Sequence, residues 1–153
     1  MRRVNDPLAT DVPANMFVTC FYAILDPKSA SLLYANAGHD LPCLHRASGD
    51  EATELRARGM PLGLMPGIVY EERETMLEAG EAALFYSDGL VEAHNPKGEM
   101  FGFPRLRALV AKYGGDGSLV NSLLEELYSF TGEGWEQEDD ITLLTLRRSA
   151  AGR

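Results

Sequence analysis

Runs of apolar residues divide most of this chain into short strands. We predict strands over 17–25, 31–36, 41–45, 68–77, 82–86 and 141–146. The 82–86 run is short and wholly apolar, which is typical of a strand buried in the centre of a sheet, and 141–146 has the same character. Turn sequences follow two of the runs, Asp26-Pro27 after the first and Ser48-Gly49-Asp50 after the third.

Two helices are predicted between the last two strands. The first begins at Pro104, because a proline is tolerated in the first turn, and ends at Gly114-Gly115. The second has Ser118 as its N-cap and ends within 131–134. Apolar residues recur at helical spacing in both helices, at Leu106, Leu109, Val110 and Tyr113 in the first and at Leu119, Leu123, Leu127 and Phe130 in the second.

The order of the elements predicts the fold class. Many strands, two adjacent helices and a last strand are typical of an α+β domain with an antiparallel or mixed sheet. Near the N-terminus, Val4 and Leu8 indicate the end of a further helix, in which Pro7 is unfavourable. At 153 residues the chain is long enough for one domain, which we place at 1–148, with a tail over 149–153.

Composition and charge narrow the functional classes. The formal net charge of -9 argues against a nucleic-acid partner and against an anionic membrane surface, since both require clustered basic residues. No apolar run approaches the ~20 residues of a membrane span, and no signal peptide is recognisable. We therefore expect a cytoplasmic protein. Cys20 and Cys43 lie in apolar settings and are predicted to be buried free thiols.

Two acidic segments flank the strands predicted to be buried. Asp88 directly follows the 82–86 strand, and Asp139 and Asp140 directly precede the 141–146 strand. If these strands are antiparallel neighbours, Asp88 and Asp139 meet at one edge of the sheet. Oxygen ligands on rigid elements suit hard divalent cations such as Mg²⁺ and Mn²⁺. The pattern thus indicates a metal site, with carboxyl groups within about 10 Å of each other.

Each of these segments also has a simpler interpretation. Asp-Gly is a common turn pair, and an acidic pair ahead of a strand is often a solvated loop. His39, beside Gly38, is interpreted as a structural hydrogen-bonding residue. His45 and His94 have no acid or nucleophile near them in the sequence. No nucleophile motif or phosphate-binding loop is present, so nucleophilic side-chain catalysis has little support.

Five segments, in the same order, resemble motifs of the sporulation-type (stage II sporulation protein E-like, SpoIIE) phosphatases. They are A-G-H-D-L-P over 37–42, P-L-G-L over 61–64, L-F-Y-S-D-G-L-V-E-A over 84–93, F-G at 101–102 and D-D-I-T over 139–142. These phosphatases belong to the metal-dependent (PP2C-like) serine/threonine phosphatases. The resemblance implies an antiparallel β-sandwich flanked by helices, with Asp88 and Asp139 at metal-binding and catalytic positions.

The resemblance also implies cofactors and partners. We expect two Mn²⁺ or Mg²⁺ ions in a complete domain, a phosphorylated anti-sigma-factor antagonist as substrate, and an N-terminal sensor domain in the full-length protein. Homodimerisation is left open. Asp140 is the weaker candidate for a ligand and is expected to cap or hydrogen-bond its neighbours.

One family motif has no match in this chain. Family members carry an earlier G-D-V-x-G-x-G segment whose aspartate bridges both metals, and we expect the first metal-binding strand and helix to be missing here. Asp88 and Asp139 neutralise only two of the four positive charges of two divalent ions. We therefore expect little or no activity from these 153 residues alone. Two rival functions remain, an inactive phosphatase-like module that binds a signalling partner and a simple acidic interaction domain.

Overall fold

A computed structural model of the protein describes residues 1–13, 15–48 and 51–149. Gly49 and Asp50 of the predicted turn and 150–153 of the predicted tail lie outside the described residues. Within the described ranges there are three α-helices, α1 (Arg2–Asp11), α2 (Gly102–Tyr113) and α3 (Leu119–Thr131), and seven strands, β1 (Cys20–Asp26), β2 (Ser31–Ala37), β3 (Cys43–His45), β4 (Thr53–Glu54), β5 (Glu72–Met76), β6 (Ala82–Tyr86) and β7 (Leu143–Arg147).

These elements form two compact units. The first unit consists of Met1–Leu41 and Arg56–Met76, and the second of Pro42–Leu55 and the described residues from Leu77 onward. Each unit contains one sheet, and every strand pair in both sheets is antiparallel. The predicted α+β class with antiparallel sheets is therefore confirmed, while the placement of 1–148 in one domain stays a prediction.

The sheet of the first unit has the order β1-β2-β5. Its β1 and β2 form a hairpin, in which Asp26 pairs with Ser31 at the turn. The Asp26 carboxylate stabilises that turn by accepting the Lys28 N–H at 2.9 Å and the Ser29 hydroxyl at 2.8 Å. The 68–77 strand is shorter than predicted, because only Glu72–Met76 pairs with β2, and most residues of β5 are exposed.

Helix α1 continues through Pro7 and ends at Asp11. Asn5, which is fully buried, anchors it to a loop of the same unit: its amide donates to the Met65 carbonyl at 2.9 Å and its oxygen accepts the Gly63 N–H at 3.1 Å. Asp6 accepts the Gly67 N–H at 2.9 Å. These contacts stabilise α1, in which Pro7 has no N–H to donate and one backbone hydrogen bond is therefore missing.

The sheet of the second unit has the order β4-β3-β6-β7. Strand β6 has the predicted bounds and the predicted central position, with Ala82, Ala83 and Leu84 at most 1% exposed. The expectation that the last strand is also buried is wrong. Among the described residues β7 pairs only with β6, so it is an edge strand, and Leu144 is 61% exposed. Strand β4, with only two residues, was not predicted.

Both predicted helices are present and pack on the core of the second unit. Leu106, Val110, Leu123 and Leu127 are at most 1% exposed and share a cluster with Leu84 and Tyr86 of β6. Ser118 does occupy the N-cap position of α3, but its hydroxyl bonds the Asp116 carboxylate at 2.6 Å instead of capping the helix. Helix α2 ends at Tyr113 and is followed by Gly114, where a β-carbon would lie 2.4 Å from the His45 β-carbon.

The two cysteines differ in burial. Both are free thiols, but Cys43 is buried while Cys20 is only partly buried, so the prediction is confirmed fully for Cys43 alone. Burial, with the nearby Glu54 charge, raises the pKa of the Cys43 thiol to about 11. No helix in the described part of the chain is long and apolar enough to cross a bilayer.

Candidate metal centre

Strands β6 and β7 bring the two acidic segments to one end of the second sheet. The strands are antiparallel neighbours, as predicted, with Tyr86 opposite Leu143. One further hydrogen bond, from the Ser87 N–H to the Thr142 carbonyl at 3.1 Å, extends the pairing beyond β6. Asp88 then begins a 3₁₀ turn, Asp88–Leu90, and Asp139 lies three residues before Thr142. The chain segments that carry both aspartates therefore lie side by side.

Gly89 shows how closely these segments approach each other. A β-carbon at Gly89 would lie 2.8 Å from the Asp140 carbonyl oxygen and 3.2 Å from that of Asp139. The backbone of Gly89 does not have a positive φ. The glycine of this Asp-Gly pair is thus required by the neighbouring acidic segment and not by a left-handed conformation. The pair does lie in a turn, the 3₁₀ turn that Asp88 begins.

The two candidate carboxylates are exposed and held only locally. Asp88 Oδ1 accepts the Gly89 N–H at 3.0 Å, and Asp139 Oδ1 accepts the Asp140 N–H at 2.7 Å. Within the described ranges neither Oδ2 has a hydrogen-bond partner and neither carboxylate forms an ion pair with a basic side chain. Each side chain therefore keeps an oxygen and a negative charge available to a cation.

The donor set fits part of a hard-cation site. Two carboxylates on neighbouring segments supply the oxygen ligands that Mg²⁺ and Mn²⁺ prefer. No group of three or more His, Cys, Asp or Glu side chains suited to a metal is present in the part of the chain that the structure describes. Two divalent ions carry four positive charges, so Asp88 and Asp139 fit the binding of one ion better than two. Joint binding of an ion by both residues stays a prediction.

His94 contacts an acid that the sequence places 44 residues away. Its Nδ1 lies 3.0 Å from Glu138 Oε2, and Glu138 directly precedes Asp139. The pair therefore connects the chain after the Asp88 turn to the acidic segment. Sequence reasoning missed it because neither residue has a local partner; the β6–β7 pairing was the available signal that the two regions meet.

The Gly38-His39 segment has a structural role in the first unit. The Asn36 side chain accepts the His39 N–H and donates to the His39 carbonyl, both at 2.8 Å. Gly38 has φ +72° and packs on Pro61, since a β-carbon there would lie 2.6 Å from the Pro61 Cγ. Two of the recognised motifs thus meet at a tight turn, in agreement with the structural interpretation of His39.

Comparison with known proteins places this chain in a family. The profile of the stage II sporulation protein E (SpoIIE) family matches residues 1–149. Protein IcfG of Synechocystis sp. is 30% identical over 151 residues, covering 97% of this chain and 24% of IcfG. The phosphoserine phosphatase RsbU of Bacillus subtilis is 27% identical over 150 residues, covering 97% of this chain and 44% of RsbU. The chain spans less than half the length of either relative.

Solved structures share the architecture. The structure of the RsbU and RsbW domains of Rv1364c from Mycobacterium tuberculosis superposes with a TM-score of 0.75 at 30% identity, covering 97% of this chain and 41% of that one. The manganese-presoaked phosphatase domain of SpoIIE from Bacillus subtilis, at 21% identity, shares the fold with a TM-score of 0.63 over 88% of this chain and 58% of that one. The chain therefore belongs to the SpoIIE family of PP2C-type phosphatase domains.

Proposed function

We propose that this chain is part of a metal-dependent protein-serine/threonine phosphatase that acts in bacterial signalling. The observation that carries the proposal is the antiparallel pairing of β6 and β7, which sets the Asp88 and Asp139 segments side by side within a match to the SpoIIE family over 1–149. Both carboxylates are exposed, so a phosphorylated side chain on the surface of another protein has access to them.

The residues of this chain would hold the metal rather than attack phosphorus themselves. Asp88 and Asp139 supply anionic oxygens, and their local hydrogen bonds leave Oδ2 of each free within the described ranges. Bound Mn²⁺ or Mg²⁺ would lower the pKa of a coordinated water and neutralise phosphate charge. The sequence offers no nucleophile motif, which is consistent with direct hydrolysis by water and no phosphoenzyme.

The relatives suggest the substrate class. RsbU is named a phosphoserine phosphatase, and one similar structure contains an RsbU and an RsbW domain. By analogy we propose a phosphorylated anti-sigma-factor antagonist as substrate, a sensor domain as regulator in the full-length protein, and a cytoplasmic location. The net charge of -9 agrees with a protein partner rather than a nucleic acid.

A second candidate function is an inactive phosphatase-like module that binds a signalling partner. The observation that favours it is that the described residues contain no group of three or more His, Cys, Asp or Glu side chains suited to a metal. The two functions differ in one respect: only the enzyme gains turnover when the aspartate of the family's G-D-V-x-G-x-G segment is supplied.

Hydrolysis of a phosphoserine-bearing antagonist protein with Mn²⁺ separates the two. The assay compares this chain with a chimera that carries, ahead of Met1, the G-D-V-x-G-x-G strand and helix of a SpoIIE-family relative. We expect little or no turnover by the chain and clear turnover by the chimera. In the chimera, Asp88→Asn and Asp139→Asn should each lower kcat by about 100-fold or more, since each removes one unit of metal-neutralising charge without changing size.

Asp140→Asn in the chimera is the matched control and should keep most of the activity. Circular dichroism checks that each variant is folded. An active chimera that is indifferent to both Asp88→Asn and Asp139→Asn would contradict the proposed mechanism. A folded chimera without turnover that still binds the antagonist would favour the inactive module. Full turnover by the 153-residue chain would show that its own carboxylates suffice.

A further inference from the structure

The Ser87 hydroxyl connects the two acidic segments directly. Its O–H donates to the Asp140 carbonyl at 2.8 Å, and the same oxygen accepts the Thr142 N–H at 2.9 Å. One side chain thus contacts the residue before and the residue after Ile141. Because Ser87 immediately precedes Asp88 and Asp140 immediately follows Asp139, this bridge joins the neighbours of both candidate ligands.

The bridge lies where regular strand pairing ends. The last paired residues are Tyr86 and Leu143, and the Ser87 N–H to Thr142 carbonyl bond at 3.1 Å is the final backbone link between the segments. Beyond it, the Asp88 and Asp139 side chains bond only the N–H of the next residue. Their own contacts therefore do not link the two segments, whereas the Ser87 hydroxyl does.

A second side-chain link at this end of the sheet, between His94 and Glu138, is weaker. His94 and Glu138 are 37% and 55% exposed in their side chains, and exposed ion pairs contribute little. Ser87 is partly buried and uses its hydroxyl both as donor and as acceptor. Ser87 is therefore better suited than the His94–Glu138 pair to set the spacing of the acidic segments.

We propose that Ser87 is a positioning residue whose hydroxyl sets the separation of Asp88 and Asp139 for metal binding. The inference rests on the proposed function, because it assigns these aspartates to a metal. Residues that orient metal ligands typically change metal affinity or activity by 10–100-fold when mutated. Ser87 would act through Asp88 and Asp139 and would not itself contact the ion.

The test uses a matched pair of substitutions at this position. Ser87 has φ -92° and ψ 158°, an extended conformation that suits both threonine and valine. Threonine and valine have nearly the same shape, but only threonine retains the hydroxyl. Ser87→Thr should therefore retain the Mn²⁺ affinity that Ser87→Val loses. The comparison separates the effect of the hydroxyl's hydrogen bonds from the effect of the larger side chain.

Mn²⁺ binding to the 153-residue chain is the readout, followed by the electron paramagnetic resonance signal of the free ion. We expect Ser87→Thr to stay within about threefold of the wild-type dissociation constant and Ser87→Val to bind Mn²⁺ about 10–100-fold more weakly. Thermal unfolding accompanies each titration. If Ser87→Val does not fold, Ser87→Ala, which removes the hydroxyl without adding bulk, is compared with the wild type and should show the same loss.

The outcomes separate this inference from the proposed function. If the wild type binds Mn²⁺ and Ser87→Val binds it as tightly as Ser87→Thr, the positioning role is wrong and the proposed function stands. Equal weakening by both substitutions also overturns the role, because the hydroxyl then makes no difference. If the wild-type chain binds no Mn²⁺, the metal site itself is contradicted and the role of Ser87 falls with it.

Discussion

Close approaches of the backbone explain several glycines of this chain. The lack of a side chain at Gly89 allows the Asp139-Asp140 backbone to approach closely, and the lack of one at Gly114 allows His45 to do so. Gly38 combines a positive φ with a contact to Pro61. The sequence indicated these positions as turns or helix ends, and it could not indicate the contacts, since every partner is more than 20 residues away in the chain. The sequence therefore shows where the glycines stand, but only the structure shows which contacts require them.

Replacement of Gly38 by alanine should destabilise the first unit more than replacement of Gly67. Both glycines have a positive φ, +72° and +76°, which costs alanine about 1–2 kcal/mol. Only at Gly38 would the new β-carbon overlap another atom, the Pro61 Cγ at 2.6 Å, while nothing lies within 4 Å at Gly67. We expect Gly38→Ala to lower the free energy of unfolding by a further 1–3 kcal/mol or so relative to Gly67→Ala. Urea unfolding measures the difference, and equal losses would show that the Pro61 contact is not restrictive.

Strands and helices were predicted correctly where an apolar run or stripe had clear boundaries in the sequence. Strand β6 and the helices α2 and α3 combine apolar runs or stripes with clear boundaries, and all three were predicted to within about two residues. Strand β7 was correctly located but wrongly judged to be buried, because an apolar run does not reveal which strand lies at a sheet edge. Strand β4 was missed because two residues carry no periodicity.

An ion pair joins the chain after β3 to the start of β6. Arg46 Nη1 lies 2.7 Å from Glu81 Oε2, and the same oxygen accepts the Glu78 N–H at 2.9 Å. Burial acts to raise the pKa of Glu81, but these hydrogen bonds, the Arg46 charge and the Ala47 N–H together hold it below the usual value of 4.5. The folded state therefore favours the ionised carboxylate.

Glu81→Gln should make the stability of the protein less dependent on pH. Because the pKa is lowered on folding, the carboxylate stabilises the protein fully above pH 4.5, and this contribution is lost as pH falls through the folded-state pKa. At pH 7 we expect the substitution to cost about 1.5–3 kcal/mol, with the difference from wild type shrinking below pH 4.5. Glu78→Gln, at a 66% exposed side chain, is the control and should have a much smaller effect. A pH-independent difference in chemical unfolding would contradict this account.

For the molecule as a whole, the family was predictable from the sequence, whereas the strand pairing at its candidate metal site was not. Five ordered motifs indicated the SpoIIE phosphatases, and the family match over 1–149 confirms the assignment. The strand pairing that brings the Asp88 and Asp139 segments together could only be assumed in the sequence analysis, because the sequence does not show which strands are neighbours in a sheet. The contacts of Ser87 and His94 across this end of the sheet required the structure, because each partner lies more than 40 residues away in the chain.

Mn²⁺ titration tests most directly whether Asp88 and Asp139 bind one metal ion together. The titration compares the wild-type chain with Asp88→Asn, Asp139→Asn and the double variant, and Asp140→Asn is the control. A carboxylate about 4 Å from a divalent ion contributes about 2 kcal/mol even in water, so each single substitution should weaken binding by about 30-fold. The double variant should lose less than the sum of the single losses, because the residues share one ion. Asp140→Asn should remain within about threefold of wild type. Equal losses for Asp139→Asn and Asp140→Asn, or no loss for Asp88→Asn, would contradict the shared site.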